Sequence, residues 1–359
     1  MIVGARVAGS TLACLLGAAG WRTLVVDRAR FPSPTLSTHF FRGAGCVSVL
    51  GRLGVLDEVL ACGSPPLVRE YNADALTGSH TIDPPQDPGD VGFCLSVRRE
   101  TLDEILVRRA RRESTVDVLE GTVLRALLVA EDRVIGVEIV DDAGAQRVRA
   151  RLVVGADGRA SRVAELVGAA TQEEHRGSRA MYFRYATAMA GPEGDPDGPE
   201  FSLGDDELAY VFPSDGSTSC IAVSVNLSRY AEMRSGGKAA FEERLATHPF
   251  LATRIEAATW IGRLFGCGPR RGVVRVPVGA GWALVGDASL HQDPWTGLGM
   301  DNAAVHATFL AESLDEILSG RVREDESMAT YQRRRDEHAL AAFRETCELG
   351  RNLNTLRNP

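Results

Sequence analysis

No run of about eighteen apolar residues, the length needed to cross a bilayer, occurs in this chain of 359 residues. Its apolar start carries neither a basic leader nor a small-residue cleavage site, so a cytoplasmic protein is expected. Paired cysteines are missing too. Cys14, Cys46, Cys62, Cys94, Cys220, Cys267 and Cys347 stand singly with no C-x-x-C among them, which points to reduced thiols rather than a disulfide framework or zinc site. Basic charge is in short supply: 40 Lys and Arg face 48 Asp and Glu, a net charge of −8. A general nucleic-acid binder is thereby excluded, because phosphate contact needs a basic surface. The arginine clusters at 108–112 and 333–335 lie among acidic residues and read as solvated helix faces. Internal repeats and low-complexity linkers are absent. What is present is an ordinary globular composition, 44% hydrophobic and 25% charged, with length enough for two domains.

The first thirty residues read as strand, tight turn, helix, strand. Met1-Ile2-Val3 is a short apolar strand, Gly4 to Gly9 the turn, and Ser10 to Ala19 a helix of small apolar residues. Gly20 ends the helix, and Arg22 to Val26 forms a β-branched strand closing on Asp27. Such a βαβ opening implies a parallel sheet. Apolar spacing predicts helices over 43–62 and 99–113, and short strands alternate over 116–155. Further strands are expected over 180–226 around an acidic Gly/Pro loop at 192–199. A helix near 237–247, strands at 271–277 and 282–286, and helices at 299–319 and 325–350 complete the chain.

Three segments carry chemistry. The turn Gly4-Ala5-Arg6-Val7-Ala8-Gly9 has the spacing of G-x-G-x-x-G with Arg6 in place of the second glycine. Gly4 permits the tight turn, Gly9 lets helix and strand pack closely, and a pyrophosphate would sit on the helix N-terminus. Arg6 would add a charge contact to the phosphates. Asp27, 18 residues after Gly9, is placed to accept ribose hydroxyls, with Arg28 beside it. The run Val153-Val154-Gly155-Ala156-Asp157-Gly158 delivers an aspartate from a buried strand into a turn. Leu284-Val285-Gly286-Asp287-Ala288 does the same, then continues through Pro294-Trp295-Thr296-Gly297-Leu298-Gly299-Met300 into a helix with small residues. A buried strand ending in Gly-Asp, followed by a glycine-rich turn onto a helix start, suits a polyol chain and an anionic ring edge.

Taken in order, these three motifs resemble those of the FAD-dependent monooxygenase and geranylgeranyl-reductase-like superfamily, which has the p-hydroxybenzoate hydroxylase fold. The resemblance covers nearly the whole chain. It implies an α/β fold: a Rossmann-like FAD-binding domain with a parallel sheet, an inserted and mostly antiparallel substrate sheet, and C-terminal helices. The expected division is FAD-binding segments at 1–75, 99–170 and 276–322, substrate-domain segments at 76–98 and 171–275, and a C-terminal helix at 323–359. Under the resemblance, Gly4, Arg6, Ala8, Gly9, Asp27 and Arg28 hold the ADP half of FAD. Gly286 and Asp287 hold the ribityl chain, and Pro294, Gly297, Leu298, Gly299 and Met300 lie along the flavin ring. Asp157 is linked to both FAD and NAD(P)H. Arg42 resembles an arginine that contacts FAD, and Arg99, with Arg98 as the alternative, resembles one near the pyrophosphate. His291, four residues after Asp287, reads as structural, and no metal is expected.

The leading expectation is a monooxygenase that uses NAD(P)H and molecular oxygen to hydroxylate or epoxidise a hydrophobic small molecule, such as a secondary metabolite, through a flavin C4a-hydroperoxide. Reduction of isoprenoid C=C bonds is the alternative, and a flavin-binding protein without turnover is the third reading. Trp260 is followed by Ile261-Gly262-Arg263, so the W-x-W-x-I-P stretch of flavin halogenases is absent. The flavin-borne chemistry needs no side-chain nucleophile. Aromatics at 180–226 are expected to wall the substrate, with Trp295 and Tyr210 as the pointed candidates. The charged last helix either packs on the FAD domain or pairs with a partner, a homodimer included.

Overall fold

The computed structural model describes residues 1–83, 90–192 and 198–357; most of the expected acidic loop at 192–199 lies outside them. Five strands run parallel in the order Trp282–Leu284, Val153–Gly155, Ile2–Val3, Thr23–Asp27 and Val116–Glu120, and Val278–Gly279 adds an antiparallel edge. The short opening strand therefore lies at the sheet's centre. Successive side chains point to opposite faces. Ile2, Val25, Val154 and Ala283 pack against the helices Val7–Ala18, Arg99–Arg111 and Gly299–Leu318. Val3, Val26, Val153 and Leu284 pack instead on the antiparallel sheet made by Val123–Ala130, Arg133–Asp141 and Gly144–Arg149. Both faces are covered, which is why these strands read as unbroken apolar runs.

A second, seven-stranded sheet has the order Thr259–Cys267, Arg179–Thr187, Thr218–Asn226, Glu207–Ser214, Glu200–Leu203, Glu70–Asp74 and Gly78–Ile82. It is antiparallel except where Glu200–Leu203 meets Glu70–Asp74. The strand Glu70–Asp74, ahead of the expected break at 75, already belongs to it. Alternation again sorts its side chains. Ala180, Tyr182, Val211 and Val223 meet the helices Tyr230–Ala246 and Pro249–Ala257, whereas Met181, Phe183, Tyr210 and Phe212 face Phe40 and Trp295. The helix Pro249–Ala257 and the strand Thr259–Cys267 were not expected from the sequence. The helix expected over 43–62 is instead a wide turn, Gly43–Val47, and two short helices, Ser48–Arg52 and Leu56–Leu60, separated where Gly54 takes φ +70°. Among the described residues, no helix is long and apolar enough to cross a membrane.

The last helix, Glu324–Leu349, packs on the parallel-sheet body. Tyr331 Oη donates to Leu284 O at 2.7 Å, and Arg335, fully buried, donates to Arg275 O and Ser289 Oγ. At its end Arg179, also buried, donates to Gly350 O and Asp206, so the helix reaches the second sheet as well. Between this helix and Gly299–Leu318 lies a histidine pair, His306 Nε2 to His338 Nδ1 at 3.2 Å. Burial pushes His306 well below the ordinary 6.5, and pushes His338 down too. His39, elsewhere in the core, is pushed to about 3. Three imidazoles held neutral make the unfolded chain the better proton acceptor below pH 6.5, so stability is fully present above that value and falls as the pH drops. Asp293, pushed up to about 6 by burial, works the other way, as do Asp301 and Glu200, whose carboxyls burial also raises; the buried Met1 ammonium, pushed down to about 6, sides with the imidazoles. Carboxylates held low, Asp215 and Glu207 among them, add their own loss only below 3.8 and 4.5. The melting temperature is therefore expected to fall steadily from pH 7 to pH 5; a flat profile by scanning calorimetry would contradict it.

Candidate FAD site and substrate cleft

Three turns leave the carboxyl ends of adjacent parallel strands, the edge where open α/β sheets bind ligands. They are in contact. A Cβ on Gly4, whose φ is +105°, would lie 2.3 Å from Ala156 O, and one on Gly9 would lie 1.8 Å from Gly4 O. At Gly286 the nearest neighbours of a Cβ are Ala8 at 3.0 Å and Ala303 at 3.6 Å. Segments near residues 4, 156 and 286 thus form one crevice, as the three motifs require.

At the first turn, Arg6 occupies the N-cap of Val7–Ala18 and no side chain caps that helix, so its first N–H groups remain open to an anion. Asp27 accepts the Ala5 N–H at 2.7 Å on one oxygen and the Ala29 N–H at 2.8 Å on the other. Each oxygen keeps a second lone pair for a ribose hydroxyl. Arg28 is exposed beside it. Arg6 turns to Asp103, 2.6 Å away, and to the Ser33 carbonyl. Arg99 holds the same fully buried carboxylate through its Nε and Nη2. Two guanidiniums on one carboxylate leave a unit of positive charge near the helix start, which suits a pyrophosphate. Arg98 is engaged elsewhere, bound to Asp215 in the turn after the strand Glu207–Ser214.

At the third turn, Asp287 sits in Gly286–Ala288, its side chain 39% exposed, 3.2 Å from His291 Nδ1. Gly297 takes φ +71° and closes the turn Pro294–Thr296. Leu298 leads into the twenty-residue helix beginning at Gly299, whose start is uncapped and exposed, while Met300 is buried. Arg42 donates to Thr296 O at 3.0 Å and meets Asp301 Oδ2 at 3.5 Å. Asp301 in turn accepts the N–H groups of Arg42 and Cys46, fastening the wide turn to the helix start. Asp157 spends both oxygens at home: Ser161 Oγ, Arg162 N and Val163 N all donate to it. Glycines with no room for a Cβ, an uncapped helix start and aspartates with spare lone pairs fit a flavin dinucleotide. Among the described residues no group of three His, Cys, Asp or Glu is placed to hold a metal ion.

Beside Gly297 a narrow cleft is lined by Thr38, Phe40, Phe201, Tyr210, Phe212, Pro294, Trp295 and Thr296. Phe40 stacks on Phe212 with centroids 4.7 Å apart, and Phe201 meets it edge-on at 6.0 Å. The two aromatics singled out in the sequence have their polar atoms tied down. Tyr210 Oη donates to Trp295 O at 2.8 Å, and Trp295 Nε1 donates to Thr346 O at 2.9 Å. Sequence reasoning passed over Phe40, His39, Asp103 and Asp301. For His39 a signal existed: a histidine between threonine and a Phe-Phe-Arg run is an unusual polar insertion.

The family described as FAD binding domain matches residues 1–346. This chain belongs to it. As a member it is an FAD-dependent oxidoreductase of the p-hydroxybenzoate hydroxylase-like fold. It is similar to digeranylgeranylglycerophospholipid reductase 1 of Methanococcoides burtonii, 25% identical over 348 residues, 93% of this chain and 78% of that protein. Among solved structures it resembles PqsL of Pseudomonas aeruginosa, described as a probable FAD-dependent monooxygenase, at 25% identity and a TM-score of 0.82, with 99% of this chain and 96% of that one covered. The myxobacterial chondrochloren halogenase CndH superposes with a TM-score of 0.85 at 22% identity, covering 96% of this chain and 82% of that one; a likeness at that identity speaks for the fold.

Proposed function

We propose that this oxidoreductase is a monooxygenase that takes electrons from NAD(P)H and one oxygen atom from O2 to hydroxylate or epoxidise a hydrophobic small molecule. The observation that carries this reading is the aromatic-walled cleft at the glycine turn, in which the tyrosine hydroxyl and the tryptophan N–H are already bonded to backbone carbonyls. Bound FAD would supply the redox chemistry there. The protein's own share is positioning and the exclusion of water. Phe40, Phe201 and Phe212, packed on one another beside the turn, keep water from it, and the open N–H groups at Gly299 would favour negative charge on a bound flavin. Asp287 and Asp27 would bind the sugar and polyol hydroxyls, and the Arg6 and Arg99 pair would meet the charge of the pyrophosphate. The second reading, reduction of an isoprenoid C=C bond, is favoured by the similarity to the archaeal reductase over 93% of the chain.

The two reactions leave different atoms in the product. Purified FAD-loaded protein is supplied with NADH or NADPH under isotopically heavy dioxygen, together with polycyclic aromatic substrates and geranylgeranyl lipids. We expect one heavy oxygen to appear in an aromatic product by mass spectrometry. A product that has gained two hydrogens and no heavy oxygen would overturn the oxygenase reading in favour of the reductase.

A further inference from the structure

The aromatic cleft is closed as it stands. Its free space is about 10 Å³, room for one water at most, and Phe40 shuts it by stacking on Phe212. A molecule bound for the inner face of the seven-stranded sheet therefore has to pass a wall that moves. The sheet itself is a poor candidate, because its strand Thr218–Asn226 is bonded to a neighbour along both edges. The segment 350–357, which follows the last helix and forms only the short turn Leu353–Arg357, is built differently. Leu353 is its one fully buried side chain, with 0% exposed, and belongs to the same apolar cluster as Met181, Leu208, Tyr210, Phe212 and Trp295. Asn352 and Asn354, on either side of it, line an open polar hollow of about 570 Å³ together with Asp205, Asn226 and Arg229. A single thickness of chain thus separates that hollow from an apolar face.

Polar bonds hold the segment down. Leu353 N–H donates to Asp206 Oδ1 at 2.8 Å, Asp206 N–H donates to Asn354 Oδ1 at 3.1 Å, and Asn354 Nδ2 donates to Asp205 Oδ1 at 3.3 Å. Asn226 Nδ2 reaches Arg351 O at 3.2 Å. Asp205, Asp206 and Asn226 border the hollow, so water can replace these bonds as they break and their net worth is small. One leucine anchor and a row of water-exposed bonds mark a segment that opens on its own, ahead of the whole fold. Gly350 is held more firmly. Buried Arg179 donates to its carbonyl and to Ser224 Oγ, and a Cβ on Gly350 would lie 2.9 Å from Trp295 Nε1. Movement therefore starts beyond Gly350, over Met181 and Leu208, which both pair with Ser224.

We propose that residues 351–357 are a lid, which swings from a pivot at Gly350, withdraws Leu353 and admits a small apolar molecule from the hollow to the inner face of the sheet. This rests on reading that face as the way to the bound flavin. Opening costs the burial of one leucine and a few exchangeable hydrogen bonds, whereas any other route breaks a strand ladder or separates stacked rings.

Thiol labelling of FAD-loaded protein reads the movement. Leu353→Cys puts a thiol on the lid and Met181→Cys puts one beneath it. N-ethylmaleimide serves as the small apolar molecule, and peptide mass spectrometry gives the rate at each site relative to the unfolded protein. Native Cys14, 1% exposed in the core of the parallel sheet, reports unfolding of the whole. We expect both introduced thiols to react at least about a hundredfold faster than Cys14. Asn354→Ala, which removes the bonds to Asp205 and Asp206, should speed both by about tenfold and leave Cys14 unchanged. If Met181→Cys does not retain FAD, Leu208→Cys on the neighbouring side of Ser224 takes its place. Labelling beneath the lid no faster than at Cys14, labelling at 353 without labelling at 181, or rates that Asn354→Ala does not change would each overturn the proposal. No electron donor is present, so these rates hold or fail independently of whether the reaction is oxygenation or alkene reduction.

Discussion

Gly9→Ala is expected to abolish FAD binding and leave little folded protein. The added Cβ would lie 1.8 Å from Gly4 O and 3.3 Å from Ala156 Cβ. The first obstacle is backbone, which no rotamer change can move aside. Relief requires the helix Val7–Ala18 to withdraw from the central strand, and that helix carries Leu12, Ala13 and Leu16 into the main core. Overpacking of this kind costs about 3 kcal/mol or more. The same substitution at Gly299 makes a sharp contrast. A Cβ there meets nothing within 4 Å, and alanine is a good helix former, so Gly299→Ala should keep the wild-type melting temperature while weakening FAD, whose ring would need that space. Flavin content by absorbance, set beside a melt for each variant, separates the two. A yellow, normally melting Gly9→Ala protein would dismiss the three-turn crevice as the cofactor site.

The contrast between these glycines also marks how far the sequence could be read. Strand ends such as Val154-Gly155-Ala156-Asp157 and Val285-Gly286-Asp287 are local signals, apolar runs punctuated by Gly and Asp, and they locate one edge of the parallel sheet without any partner being known. The helices Arg99–Arg111, Gly299–Leu318 and Glu324–Leu349 are equally local and were expected within a residue or two. Groups defined only by a distant partner were not legible. Asp103 is important because Arg6, 97 residues away, reaches it. His39 is oriented by Tyr185, 146 positions later, and Asp301 fastens a turn 259 positions earlier. The seven-stranded sheet belongs to the same class: its order depends on Glu70–Asp74 pairing with Glu200–Leu203, which no spacing announces. Arg6 shows the intermediate case. The sequence placed it at the dinucleotide turn, and the structure adds that its charge is shared with Arg99 through one carboxylate.

Asp301 is where such a long-range group matters most, and Asp301→Ala is expected to cost about 3 kcal/mol of stability and to lose FAD. Its carboxyl is buried and pushed up by that burial, against the pull of Arg42 and two backbone N–H groups. The ion pair is long, 3.5 Å to an arginine that is 40% exposed, so little of the effect comes from charge. The larger loss is the acceptor. Without it the N–H groups of Arg42 and Cys46, bonded at 3.0 and 2.9 Å, stay behind unpaired, at about 1–3 kcal/mol each where no water can reach them. Gly45, whose Cβ position is 2.3 Å from Asp301 Oδ1, shows how closely the wide turn is drawn onto the helix. Released, the turn no longer holds Arg42 against Thr296 O, and the glycine turn at 294–297 loses its support. Asp301→Asn separates the two contributions: it keeps the volume and the oxygen that accepts both N–H groups, and gives up the charge and the second oxygen that meets Arg42. It should retain FAD and lose about 1 kcal/mol by denaturant titration. Equal losses in the Ala and Asn variants would show that the ion pair, not the two N–H bonds, holds the crevice together.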